Sequence, residues 1–404
     1  MKISAIADID RRGWFYLCGF ALTSCLSMAM SNVFLGLAVA AALHRCKRQR
    51  PSFAGCLDII GRPVAVMFLA YVIATLVSLV GALDLIAGMR RILNHYFLWP
   101  SAFFSVLVFV RNRRQVFRLA EFLVLSLVLN DFYVIGQSLQ VGGQMGRFGG
   151  GMFYMAYATA LLTVLPLLLM YFLRSQNQRR RWAAVAAFLL CIVGLLLNGT
   201  RTVWALVLPF CLAAAYPCVS SKWKYVAGLM ASLMAVGVLL AAVPNVQMRA
   251  KTIFEAATDG SYQERTRVWA SAEHMWQDHP WTGVGFGSFP KAYTEKYILP
   301  EAQERQLRHA HSNVMEVLAE CGSLGVITFI AFWLVFSLQA LGRWRRTHEE
   351  VHLVLFFSLQ AIMLHGLTEF TWDRSITMKM FWMIFGLACA WMRCGREGLS
   401  CRRL

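Results

Sequence analysis

The sequence predicts an all-α polytopic membrane protein, on three observations. Hydrophobic residues make up 58% of the chain. Only 15% of residues are charged, against about 25% in soluble domains. The apolar residues also gather into long uncharged runs of roughly 17–25 residues, the length a helix needs to cross a bilayer. The runs fall at 13–29, 31–44, 63–83, 95–110, 119–138, 152–173, 182–199, 203–219, 225–243, 323–341, 351–371 and 375–393. About twelve transmembrane helices are therefore expected, forming a single transmembrane domain over 1–404.

The first two runs are short and adjacent, and read as a helical hairpin. Orientation follows from Lys and Arg, which accumulate in cytoplasmic loops. Placing the N-terminus inside puts Lys2, Arg11 and Arg12 in the cytoplasm, with the HRCKRQR run from His44, RNRR from Arg111 and RRR from Arg179. SKWK, the GRWRR run ending at Arg346, and Arg393, Arg396, Arg402 and Arg403 fall on the same side. Reading 13–44 as one span would flip every later sign. Both termini are thus expected inside. The N-terminal run lacks a small-residue cleavage site and is no removable signal.

The net charge of +18 belongs to this loop pattern. Nucleic-acid binding is not expected, because the basic residues are divided among short loops. The eleven cysteines lie mostly in spans or inner loops and show no metal-type spacing, so no disulfide framework is expected.

Most outer connections are short: 84–94, 139–151, 200–202 and 372–374. The exception, 244–321, is a large loop between the ninth and tenth spans. It holds Arg249, Lys251, Arg265, Arg267, His274, His279, Arg305, Arg308, His309 and His311. A helix is predicted over 265–278. TGVGFGSF from Thr282 lacks a preceding strand and a following Lys-Ser/Thr, so it reads as a turn, not a nucleotide loop. Three further arginines mark the outer edge: Arg147 in VGGQMGRFGGG, Arg201 in NGTRT and Arg374 in TEFTWDRS. Arginine at a span end is costly to desolvate and wants a partner, although snorkelling to headgroups accounts for many.

Guanidinium forks match phosphate geometry and keep their charge. Several of them at a membrane surface suit a lipid-linked diphosphate. His311 is followed by Ser312, a good N-cap, and by NVMEVLAE, read as a helix with Glu316 and Glu320 on a face of their own. A helix N-terminus disfavours an imidazolium, which suits His311 to a base's role. The other reading of His311 is an ordinary surface histidine capping an interfacial helix.

His311, Ser312, nine residues, Gly322, two residues, Gly325 fits the H-[N/S]-x9-G-x2-G pattern of bacterial O-antigen ligases. NGTRTVWAL resembles that family's Thr-Arg segment, and RTRVWASAEHMWQDHPWTGVGFGSF its R-x-x-x-W…DHP…GxGxGxF stretch. TEFTWDRS is similar to its Trp-x-Arg-Ser segment. The resemblance spans about 190–393. It implies a C-type inner-membrane glycosyltransferase (GT-C) with its active site in the periplasm. Such an enzyme moves a glycan from undecaprenyl diphosphate to the lipid A-core, without metal or cofactor. The family's base maps onto His311 and its diphosphate-binding arginines onto Arg201 and Arg267. Arg374 falls on the last-loop arginine, Arg265 is a rival for Arg267, and Arg147 has only its position. Ser312, Glu316, Gly322 and Gly325 support the motif.

The chemistry of the residues agrees. A diphosphate is a weak base, and neutralising it removes the need for a general acid. No DxD or clustered-carboxylate site is evident on the outer face to hold a metal; Asp259, Asp278 and Asp373 are scattered. Inversion is expected, since no covalent nucleophile is evident. Two alternatives stay open at this stage: an O-antigen polymerase or protein-directed ligase of the same superfamily, and a lipid-glycan transporter with charges lining a path. The outer clustering of charge disfavours the transporter, with His365 as an exception.

Overall fold

The computed structural model describes residues 2–48, 60–143, 146–254 and 260–400. Arg50, Gln144, Met145, Asp259, Arg402 and Arg403 lie outside the described residues, as do the side chains of Lys2, Arg249 and Arg396. Every regular element among them is helical. Ten helices are long and apolar enough to cross a membrane.

The expected hairpin is present: α1 (Lys2–Thr23) turns through 24–27 into α2 (Met28–Arg48), and the two pack together. α1 is not among the ten, and it carries Asp8, Asp10, Arg11 and Arg12 in its first half. α3 is Arg62–Ser78. The stretch 84–94, read as a loop, is helical instead. α4 (Leu85–Leu93), capped by Asp84, runs through a π-turn into α5 (Ser101–Phe109), and the whole forms one span. Its charges misled the reading, because one of them, Arg91, points inward.

The spans then continue as α6 (Arg113–Gln140), α7 (Tyr154–Arg174), α8 (Gln178–Asn198), α9 (Arg201–Ala215) and α10 (Lys222–Ala242). The large loop holds α11 (Pro244–Phe254), α12 (Gly260–Asp278) and the short α13 (Phe289–Ala292). α14 (Asn313–Thr347), α15 (Glu350–His365) and α16 (Ser375–Ser400) complete the chain. α15 is shorter than the run 351–371, because the chain leaves the helix at Gly366 and enters the last loop.

The chain divides into two compact units: Met1–Leu123 with Glu264–Leu404, and Val124–Gln263. In the first, α3 packs on α14 and α5 on α16. Their shared core is aromatic, with Phe68 edge-on to Trp382 and Trp372 edge-on to Phe329 and Phe332. A smaller core lies under the large loop, where Val268, Ala272 and Met275 of α12 meet Phe289, Leu307, Ala310 and Ala319. Their spacing is that of one helix face. This core fixes the chain that carries the histidines.

In the second unit α7 is the most buried helix, packed on α8 and α9. α10 buries no residue, as expected of an all-apolar helix facing lipid.

Candidate active site

The site in the first unit begins with a break in α14. Gly322 has φ 62° and ψ −160°, which interrupts the helix. The carbonyls of Ala319 and Glu320 are taken up by the loop after α12. Val284 N–H donates to Ala319 O (2.9 Å) and Gly285 N–H to Glu320 O (3.0 Å), while Ser323 N–H donates to Pro280 O (2.9 Å). A Cβ on Gly322 would collide with the backbone of Trp281 and Thr282, and one on Gly283 with Ala319 and Glu320. The glycines of TGVGFGSF and of the His motif are thus one structural device: backbone lying against backbone at a helix break. The turn expected there is present.

That device sets the position of the α14 N-terminus. Ser312 caps it, accepting from Met315 N–H at 3.4 Å. Ahead of it His311 adopts φ 51°, a left-handed conformation uncommon outside glycine and characteristic of functional sites. Asn313 ties in the last loop. Its Oδ1 accepts from Thr371 N–H (2.9 Å) and Trp372 N–H (3.0 Å), and its own N–H donates to Gly366 O (2.6 Å). A side chain on Gly366 would strike the Asn313 amide.

This lacing brings Glu369 against the two histidines. Nδ1 of His311 lies 3.3 Å from Glu369 Oε2. Arg374 donates from Nη2 to Glu369 Oε1 (2.9 Å) and to His309 Nε2 (2.8 Å). Burial alone would push the Glu369 carboxyl up, but the hydrogen bond from His311 and the charge of Arg374 hold it well below the usual carboxylate range. An ionised Glu369 accepts, so His311 carries its proton on Nδ1, and its partly exposed Nε2 has no hydrogen-bond partner among the described residues. His309 is the reverse case. Burial, then the charge of His311, lowers it from 6.5 to about 3, and its Nε2 accepts from a guanidinium that can only donate. It stays neutral.

His309, His311 and Glu369 bring ligand-type atoms within 4.8 Å of one another. Arg374 donates to two of the three.

Behind the histidines lies an ionic hub that the sequence reading missed. Arg91 of α4 places Nη1 2.7 and 2.6 Å from the two oxygens of Glu320. Its Nη2 is 3.4 Å from Glu316 and its Nε 3.3 Å from Asp373. The guanidinium lies between the rings of Phe286 (4.8 Å) and Phe370 (4.9 Å). Glu316 and Glu320 are buried; their separate helix face is real but turned inward. Glu316 Oε2 accepts from Ala310 N–H (2.6 Å) and Glu320 Oε1 from Phe289 N–H (3.1 Å). His95 lies 3.3 Å from Asp373, whose carboxyl is raised by burial against the lowering charges of Arg91 and Arg374. One arginine thus joins α4, the glycine loop, α14 and the last loop.

The remaining expected arginines are distributed. Arg267 pairs with Glu264 at 2.9 Å, and Glu264 also accepts from the backbone of Gln303 and Glu304. Arg265 sits one helical turn before Trp269, whose indole N–H donates to Ala310 O (2.9 Å), between the two histidines. The R-x-x-x-W spacing therefore puts Arg265, not Arg267, on the helix face directed at the histidine segment. Arg147 and Arg201 belong to the second unit. There Asn198 donates from Nδ2 to Phe148 O (2.7 Å) and Tyr154 O (3.0 Å), and Thr200 donates to Asn198 Oδ1 (2.5 Å). NGTRT and the glycine-rich Arg147 loop are thus held together. Gly325 lies within α14, packed on Cys321 and Val317.

The protein is thus a polytopic all-α membrane protein with a histidine–carboxylate pair beside a guanidinium. Residues 186–330 match the family model described as O-Antigen ligase, which supports a relation to that family. The match takes in Arg201, Arg265, Arg267 and both histidines, and ends before Glu369 and Arg374. No curated protein matches the chain.

Proposed function

We propose that the protein is an O-antigen ligase. It transfers glycan from undecaprenyl diphosphate to a sugar of the lipid A-core on the periplasmic face of the bacterial inner membrane. The family match supports the O-antigen ligase/polymerase superfamily. The observation that carries the reading further is the His311–Glu369 pair, with Nδ1 engaged and Nε2 open.

In this reading His311 Nε2 takes the proton of the acceptor hydroxyl as its oxygen attacks the anomeric carbon. The bond from that carbon to the phosphate oxygen breaks, and its electron pair leaves with the diphosphate. Glu369 holds the imidazole in the productive tautomer and stabilises the imidazolium that forms, as a triad carboxylate does. Arg265 or Arg267, with Arg374, neutralises the leaving group, so neither metal nor general acid is required. Direct attack inverts the anomeric centre.

The test is purified protein with undecaprenyl-diphosphate glycan and rough lipopolysaccharide, the product read on a gel. His311→Ala is expected to lower transfer about 10²–10⁴-fold, the range for loss of a general base. Wild-type transfer in that variant overturns the base assignment. Loss of transfer in a strong chelator overturns the metal-free step. A polymer ladder formed from donor alone identifies a polymerase.

A further inference from the structure

The outer end of the second unit holds a second built site. The loop at Arg147 borders a cavity of about 440 Å³, within the roughly 300–1,000 Å³ typical of small-molecule sites. Its apolar wall is mainly rings, Phe148, Phe153 and Tyr154, with Val141 and Met152; the centroids of Phe153 and Tyr154 are 4.6 Å apart. Its polar wall is Gln140 and Arg147, with Gln137, whose amide is bonded to Gly150. Arg147 is exposed; it donates to the Tyr154 hydroxyl at 3.3 Å and lies 5.5 Å from the centre of that ring.

The glycines of this loop look suited to a phosphate, but their N–H groups are already used. Gly150 N–H donates to Gln137 Oε1 (3.0 Å) and Gly151 N–H to Asn130 Oδ1 (2.8 Å). Gly146 N–H goes to Leu197 O (3.2 Å). Asn130 and Gln137 return their amide N–H groups to the carbonyls of Gly149 and Gly150. A phosphate nest needs free backbone donors, and here two side-chain amides and one backbone carbonyl have taken those three. The described part of the loop presents aromatic faces, the Gln140 amide and the Arg147 guanidinium to the cavity.

We propose that this cavity is a saccharide subsite, holding one ring of the glycan substrate. A pyranose has an apolar C–H face and a hydroxyl edge. The first fits Phe153 and Tyr154; the second fits the Gln140 amide and the Arg147 fork. An acyl chain would leave Gln140 and Arg147 unsatisfied, and a bare phosphate would gain nothing from three rings. With a guanidinium and no carboxylate among the described residues of its wall, the subsite favours neutral and acidic sugars over those with a free amine. This rests on the reading above that the substrates are glycans. It moves Arg147 from the diphosphate to the sugar.

The experiment uses the full chain in lipid nanodiscs and saturation-transfer NMR. Two phosphate-free, lipid-free probes separate the sources of the ring: the repeat oligosaccharide of the donor and the core oligosaccharide of the acceptor. One of them is expected to show saturated ring protons with wild-type protein. The signal should fall at least threefold in Gln140→Ala and in Arg147→Ala, both exposed positions, and persist in His311→Ala. An undiminished signal in both loop variants overturns the subsite. So does binding through Arg147 that needs the diphosphate. If no saccharide binds, with or without diphosphate, the ligase reading falls as well.

Discussion

Two regions of the molecule solve one problem with different chemistry. Each must hold irregular, glycine-rich backbone at the end of a helical unit. At the α14 break, charge does it: Arg91 gathers Glu316, Glu320 and Asp373, and two of those carboxylates reach on to the backbone of Ala310 and Phe289. At the Arg147 loop neutral amides do it: Asn130, Gln137 and Asn198 bond the backbone of residues 148–154. The ionic frame adjoins the histidines; the amide frame borders a cavity lined by rings. If the first frame serves proton transfer and the second recognition, as proposed above, buried charge both holds the backbone and sets the field at one, while amides hold the backbone at the other.

The widest expected gap between the two frames is in stability. Arg91→Met strands buried carboxylates and should cost about 3–5 kcal/mol, the range for breaking a buried ion pair. Thermal unfolding in detergent measures it. A loss equal to that of an amide variant would erase the distinction. Glu369→Gln keeps the shape of the side chain but not its charge, and is expected to lower transfer about a hundredfold with little loss of donor binding. Transfer within twofold of wild type would reduce Glu369 to an anchor for Arg374. Asn130→Ala leaves two backbone groups without their partner and should cost about 1–3 kcal/mol, with the cavity's saccharide signal weakened alongside.

The smallest effect is in pH. Folding lowers His309 from 6.5 to about 3, so over that interval the unfolded chain binds a proton that the folded chain refuses. Stability from this site is complete above pH 6.5 and is lost as pH falls toward 3. Glu369, also lowered, contributes above its ordinary 4.5 and loses that contribution below it. Between 6.5 and 4.5 the difference between wild type and His309→Gln should therefore be His309's own, with a slope of roughly 1 kcal/mol per pH unit. Parallel unfolding curves for the two proteins across that window would contradict it.

Much of the fold was legible because a bilayer imposes its length on every crossing helix. The run over 119–138 lies inside α6, and the runs over 152–173 and 225–243 match α7 and α10 to within about three residues. The histidine motif could be read from its N-cap and its glycines. Glu369 and Arg91 could not. Glu369 lies 58 residues from His311, and no local period links them. Arg91 stands beside Arg90 in what resembled a charged loop, and only its packing between Phe286 and Phe370 shows that it points inward. Arg265 and Arg267 were separable in principle, since one shares a helix face with Trp269, but what that face meets was unknown.

The sequence by itself determined that the chain is helical, that it crosses a membrane many times and that it bears the histidine motif, because hydrophobic run length and capping chemistry act locally. Tertiary structure alone decided which carboxylate meets which imidazole, where the buried guanidinium points, and which glycine N–H groups remain free. Those choices depend on side chains far apart in the chain meeting in a low-dielectric interior, where a charge or an amide must find its partner.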